Sequence, residues 1–387
     1  MKAFNYFQPT EIVFGKGRVS EIGKIASKYG KNCVLVTGPE FKTLAPLYKR
    51  VKEYLKAAGM NVAHFDGVIS NPTTDVVTAG ANMAKEIKAD VIIGLGGGSS
   101  MDTAKAIAVE ATHEGTAWDY LFYKKEPTSK TLPIIAISTT SGTGSQTTPC
   151  AVITKSNVHD KSAIWHPNAF AKVAIVDAEL MLTLPKSITA QTGFDAFTHN
   201  FEAFISNGTN PYVENLAIEA IKLIAENLPK VLKDGSNVEA REAMAWADTL
   251  GGLSIASGGV TLPHGLGMQI SGHCAHVTHG QSLAVSYPEF TRFTYKSAVE
   301  KFAKVGRIFN AELENVSDEV AAEKSCEEID GFLKRIGLWI GFKDLNVTKE
   351  EIVEIAKDGQ VLPDYKNNPR LATIEEMAEI LLKCYER

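Results

Sequence analysis

Histidine is spread unevenly along this chain of 387 residues, four of its nine falling between positions 264 and 279. The stretch LPHGLGMQISGHCAHVTHG supplies His264, His273, His276 and His279. Upstream, in GFDAFTHN, Asp195 and His199 stand four residues apart, so a helix puts a carboxylate and an imidazole on one face, one turn from each other. Three neutral imidazoles and one carboxylate around a divalent ion leave a net positive charge and open positions for a substrate oxygen, and suit Fe(2+) and Zn(2+) alike. The plain alternative for the Asp/His pair is a helix-surface contact or a hydrogen-bonded core histidine.

Two glycine-rich loops offer a different chemistry. GLGGGSSMDTAK, Gly94 to Lys105, leaves an apolar strand and enters a helix, where consecutive glycines let backbone N–H groups approach an anion such as a dinucleotide pyrophosphate. It lacks the GxGxxG fingerprint and also reads as a tight strand-to-helix turn. TTSGTGS, Thr139 to Ser145, follows the next strand, and the two loops together line the carboxyl ends of neighbouring strands, where open α/β sheets place their ligands.

Positioning these groups requires an α/β first half and a helical second half. Residues 32–37, 61–65, 90–95, 133–138 and 172–176 read as strands, with amphipathic helices over 44–58 and 74–87, the alternation expected of a doubly wound, Rossmann-like parallel sheet. After Asp177 the strand signals stop, and 187–206, 211–227, 239–256, 297–309, 319–336 and 374–385 read as helices. The expected division is a dinucleotide-binding α/β domain over 1–185 and an all-helical metal-binding, catalytic domain over 186–387. Pro185 ends one element and Ser187 can cap the next helix. The polar stretch 114–130 reads as a surface loop.

Composition excludes several classes. Forty Lys+Arg against 45 Asp+Glu, a net charge of −5 well mixed along the chain, gives no basic surface for nucleic acid or membrane. No apolar run is long enough for a membrane span, and the N-terminal residues lack the features of a signal peptide, so a cytoplasmic location is expected. Five scattered cysteines without a CxxC pair indicate neither a disulfide framework nor a thiolate zinc site, leaving N and O ligands for any metal.

In order along the chain, FxPxxIxFG, GGGSSMDTAK, TTSGTGSQTTPCAVIT, KVAIVDAEL, GFDAFTHNFEAF and two His-Gly pairs resemble the iron-containing (group III) alcohol dehydrogenases. That resemblance spans nearly the whole chain and implies the same two-domain fold with an active site in the cleft between the domains. It further implies that Asp195, His199, His264 and His279 are metal ligands, and that Gly97, Gly98 and Ser99 hold the pyrophosphate. Thr139, Thr140 and Thr148 are then expected on the nicotinamide side, with Asn71, Asp102 and Lys161 at further cofactor positions, although an acidic residue in a first helical turn such as Asp102 also serves the helix dipole. Many relatives carry a further histidine four residues after the first His-Gly histidine; here Met268 stands there. His273 or His276 is the expected substitute proton relay, each alternatively a structural histidine.

The resemblance implies reversible hydride transfer between a primary alcohol and its aldehyde, with a homo-oligomer in which the N-terminal FxPxxIxFG strand is a contact. Gly38 stands where NAD-preferring relatives carry an Asp that grips the ribose hydroxyls, and glycine leaves room for a 2′-phosphate, so NADP(H) is expected over NAD(H). Glu40 opposes that expectation and Lys42 supports it. A polyol dehydrogenase of the same fold is the alternative. A dehydroquinate-forming synthase is disfavoured because the histidine-rich stretch has no Lys or Arg to hold a phosphate and carboxylate, and a non-catalytic metal- or nucleotide-binding scaffold is the reading of a different class.

Overall fold

The computed structural model describes residues 3–41, 43–155 and 160–387, the side chains of residues 122 and 123 excepted. Packing divides the chain into Phe7–Leu184 and Pro185–Arg387, the latter joined by the N-terminal residues up to Tyr6.

The first unit is built on β1 (Glu11–Phe14), α1 (Ile22–Ala26), β2 (Asn32–Val36), α2 (Ala45–Ala57), β3 (Asn61–Phe65), α3 (Thr74–Glu86), β4 (Val91–Gly96), α4 (Gly98–Glu110), β5 (Ile134–Ser138), β6 (Cys150–Thr154), β7 (Lys161–Trp165) and β8 (Val173–Val176). Six strands form one sheet in the order β1-β8-β5-β4-β2-β3, every pair parallel. Alternate residues feed opposite faces. Val34, Val36, Ile92 and Ala136 join one apolar cluster, while Cys33, Leu35, Ile93 and Ile137 join the other. Helices therefore cover both faces, and the inner strands β4, β5 and β8 are buried throughout. The chain reverses its direction of travel across the sheet between β2 and β4, so the loops that follow these strands open apart at the switch point, where such sheets bind ligands.

Two segments differ from the sequence expectation. Cys150–Thr154 and Lys161–Trp165 pair as an antiparallel ribbon outside the main sheet, a feature hidden in short, weakly alternating runs. The stretch 114–130, expected to be a surface loop, carries a 3-10 helix at Ala117–Tyr123 with a Thr116/Asp119 capping box, and Ala117 and Leu121 are fully buried.

The second unit consists of α5 (Lys186–Ile205), α6 (Pro211–Lys233), α7 (Val238–Gly258), α8 (Leu262–His273), α9 (His279–Thr294), α10 (Val299–Phe309), α11 (Asp318–Ile336), α12 (Lys349–Lys357) and α13 (Ile374–Lys383). Pro185 itself is the N-cap of α5, so Ser187 lies inside the first turn rather than capping it. Helix α6 continues through Pro229 to Lys233, about 1.7 turns beyond the expected end. Neither α8 nor α9 was legible as a helix. Nearly every residue of α8 is buried, so it lacks the one-sided apolar stripe by which a helix is recognised. Among the described residues no helix is long and apolar enough to cross a membrane.

Candidate metal centre and dinucleotide loops

Helix α5 presents Asp195 and His199 one turn apart on one face, while Phe194, Phe197, Phe201 and Phe204 line the opposite side, all of them buried. His264 is the third residue of α8 and His279 the first of α9, so two helix N-termini meet α5 at Asp195. Asp195 Oδ1 lies 3.8 Å from His199 Nε2 and 3.6 Å from the Nε2 atoms of both His264 and His279. These separations are too long for hydrogen bonds and suit atoms gathered around a common centre. Donor atoms of Asp195, His199 and His264 all lie within 4.8 Å of one another, and all three residues are buried. The His279 side chain retains 27% of its surface and forms the open edge of the cluster.

Asp195 Oδ1 and His264 Nε2 are buried without a hydrogen-bond partner. An orphaned buried acceptor beside an orphaned ring nitrogen costs about 1–3 kcal/mol each unless something fills the gap. A divalent cation bound by nitrogen and oxygen satisfies both, so the residues fit a metal. Burial alone would push the Asp195 carboxyl up, but the imidazoles of His199, His279 and His264 outweigh it and bring it down to about 2. Burial likewise opposes charge on His264, yet Glu202 and Asp195 hold its imidazolium up to about 10, so metal uptake at neutral pH displaces a proton.

In the α/β unit, Gly97 caps α4 and Gly98 opens it. A Cβ on Gly97 would sit 3.2 Å from the Thr140 side chain, and one on Gly98 would sit 2.6 Å from Thr143 Cγ2. The two glycine-rich loops are thus packed against each other with no room for side chains, and Thr139 N donates to Gly96 O at 2.9 Å. This bare helix N-terminus at the end of β4 fits a pyrophosphate. Ser99 and Thr140 remain accessible beside it, whereas Thr139 and Thr148 are buried. Lys161 Nζ donates to Asn71 Oδ1 at 2.9 Å, and Asn71 adopts the left-handed backbone with φ 53°. Gly38 follows β2, and a Cβ there would find only Val68 O, at 3.7 Å. Glu40 is exposed, and Lys42 lies outside the described residues.

A profile described as iron-containing alcohol dehydrogenase matches residues 9–178, and one described as the C-terminal part of the Fe-containing alcohol dehydrogenase family matches residues 189–385. The chain belongs to the iron-containing alcohol dehydrogenase family. It is 34% identical to an NAD-dependent methanol dehydrogenase of Bacillus methanolicus, over 97% of this chain and 98% of that one. A 1,3-propanediol dehydrogenase of Klebsiella pneumoniae is 33% identical over 99% of each chain. Among solved structures, an archaeal halo-thermophilic Red Sea brine pool alcohol dehydrogenase superposes with a TM-score of 0.95 at 34% identity, covering 99% of this chain and 100% of that one.

In this member of the family, the residues behind two sequence expectations are engaged by neighbouring segments. His273 Nε2 pairs with Asp358 Oδ2 at 2.8 Å, and His276 Nε2 meets the Leu345 carbonyl oxygen at 2.8 Å. Nine residues of α8 separate His264 from His273, about 13 Å along the axis, and the contacts of His273 and His276 are of the kind the structural alternative describes. Both bind the segments around α12. Asp102, expected at the cofactor, turns inward: its carboxylate accepts from Ser145 Oγ at 2.6 Å and Val152 N at 3.0 Å. Its work is to hold the second loop.

Sequence reasoning missed three further residues. Glu202 is fully buried and bonds His264 Nδ1 at 2.8 Å; the signal was a carboxylate three residues after His199 in an apolar, phenylalanine-rich run. Asp364 is half-buried near His264 and Glu202, and burial pushes its carboxyl up to about 6. Lys105, fully buried, donates to Ser145 O, Ser145 Oγ, Thr148 O and Cys150 O. Phe197 is core, stacked between Phe194 and Phe201.

Proposed function

We propose that the protein is a metal-dependent alcohol dehydrogenase and aldehyde reductase that interconverts a primary alcohol and its aldehyde, with iron as the metal, zinc as a substitute, and NADP(H) favoured over NAD(H). The observation that carries this reading is Asp195 Oδ1 ringed by three histidine Nε2 atoms at 3.6–3.8 Å in a buried pocket. Asp195, His199, His264 and His279 would hold the ion. Bound metal supplies Lewis acidity toward the substrate oxygen and bound nicotinamide dinucleotide supplies the hydride acceptor or donor.

The chain's own residues bind and orient. Gly97, Gly98 and Ser99 at the α4 N-terminus would take the pyrophosphate through backbone N–H groups and the helix dipole. Thr139, Thr140 and Thr148 would line the nicotinamide side, on a loop that Asp102 and Lys105 hold in place. Burial of Asp195, His199 and His264 excludes water from three sides of the cluster, leaving the His279 edge for substrate. Open space at Gly38 supports NADP(H), while the methanol dehydrogenase relative is named as NAD-dependent. The five cysteines form no disulfide, which supports a reducing, cytoplasmic setting.

A polyol substrate is the second reading, favoured by the 1,3-propanediol dehydrogenase relative. Metal analysis of the purified protein, coupled to aldehyde-reduction and alcohol-oxidation assays with NADPH and NADH over a panel of simple alcohols and diols, tests both. Stoichiometric metal with turnover of primary alcohols is expected. Tight cofactor binding without turnover of any alcohol or aldehyde would overturn the enzyme reading in favour of a binding scaffold.

A further inference from the structure

The pocket around Asp195 contains a second carboxylate that is placed to control one of the histidines. We propose that Glu202 is a positioning residue that sets the tautomer and orientation of His264 and joins α5 to the start of α8. The inference rests on the metal reading given above.

Glu202 Oε1 lies 2.8 Å from His264 Nδ1, and Oε2 accepts from Thr261 N at 2.8 Å and from Thr261 Oγ1 at 3.1 Å. Glu202 has no exposed surface and His264 is 6% exposed, so water does not compete for these bonds. A carboxylate can only accept, so the hydrogen sits on Nδ1. In the neutral imidazole this leaves the lone pair on Nε2, the atom that faces Asp195 Oδ1 at 3.6 Å and has no hydrogen-bond partner of its own. The ring is therefore oriented so that Nε2, on giving up its proton to an arriving ion, is the ligating atom, the arrangement by which outer carboxylates tune metal-bound histidines.

The other oxygen fixes the backbone. Thr261 is the N-cap residue of α8 and makes no side-chain cap bond of its own. Glu202, one turn beyond His199 on α5, thus determines both where α8 begins and which way its third residue faces. Charge gives a further reason for a carboxylate here. A divalent ion with Asp195 and three neutral imidazoles leaves one positive charge in a buried site, beside the positive ends of two helix dipoles; Glu202 brings the group to neutrality.

Glutamine in place of Glu202 offers one acceptor oxygen and one NH2, while both His264 and Thr261 present donors. If the NH2 faces His264, Nδ1 must accept and the hydrogen moves to Nε2, blocking ligation. If it faces Thr261, the backbone at the start of α8 loses its acceptor. Either way Glu202→Gln is expected to bind Zn(2+) about 10- to 100-fold more weakly in chelator competition, with circular dichroism unchanged. The comparison is His264→Ala. Wild-type affinity in Glu202→Gln with metal lost in His264→Ala overturns the role of Glu202 and leaves the metal reading intact. Wild-type affinity in His264→Ala overturns the metal reading itself. Should Glu202→Gln fail to fold, 15N-histidine NMR of the zinc-loaded wild-type protein decides: an exchange-protected Nδ1–H on His264 supports the proposal, and an unprotonated Nδ1 overturns it.

Discussion

The Lys105 ammonium donates to the carbonyl oxygen of Ser145 at 2.7 Å and to its hydroxyl at 2.9 Å, and so clamps one glycine-rich loop to the helix that opens from the other. The same ammonium reaches Thr148 O and Cys150 O, and the Asp102 carboxylate completes the arrangement through Ser145 and Val152. Burial disfavours the charged forms of both groups, lowering the Lys105 pKa and raising that of Asp102, while each charge offsets part of the shift in the other. Lys105→Met removes the cation and leaves three carbonyls and a carboxylate without it, at a cost of about 3–5 kcal/mol. A large drop in thermal stability is expected, together with a raised KM for the cofactor; an unchanged melting temperature would show that water replaces the ammonium at no cost.

Gly98→Ala tests the dinucleotide loop. The new methyl group would lie 2.6 Å from Thr143 Cγ2, and the two loops must part to admit it. Overpacking of about 1–3 kcal/mol corresponds to cofactor binding weakened roughly tenfold to a hundredfold, read by quenching of protein fluorescence on titration with NADPH. Gly97→Ala, whose methyl would meet Thr140 at 3.2 Å, is expected to lose less.

Gly38→Asp addresses the cofactor choice. The position is open, with Val68 O at 3.7 Å as the nearest neighbour of an added Cβ, so the carboxylate fits. It would accept from ribose hydroxyls and repel a 2′-phosphate. The ratio of kcat/KM for NAD to that for NADP should rise at least about tenfold, or about 1.4 kcal/mol. No change in the ratio would remove Gly38 from the specificity argument.

His273→Ala and His276→Ala separate structural histidines from a proton relay. The His273–Asp358 pair is partly exposed, at 27% and 46% for the two side chains, and is worth at most about 1 kcal/mol. Turnover is expected to stay within about twofold of wild type across pH, whereas a general acid–base role is worth about 10²–10⁴ in rate. A loss of that size in either variant would restore the relay assignment.

Much of the architecture was legible locally. The strand at residues 61–65 matches β3, and the five strands and two helices expected in the first half lie within a residue or two of their observed ends, because buried β-branched runs and 3.6-residue periodicity are properties of the chain itself. The β6–β7 ribbon and helix α8 were not legible: the ribbon's runs are short, and α8 is surrounded by other segments and carries no polar face.

The candidate site divides in the same way. Sequence alone determined the donor types, the shared face of Asp195 and His199 and the bare glycines at the end of β4, since each depends on neighbours a few residues apart. Which later histidines join Asp195 was implied by the family resemblance and not by spacing; the tertiary structure brings His264 and His279 to that carboxylate and sends His273 and His276 to partners around α12. It also decided the role of Glu202, whose partners Thr261 and His264 lie 59 and 62 residues away. The rotation of one helix against another is set by how their apolar faces pack, and that has no signature in the spacing of the polar residues they bring together.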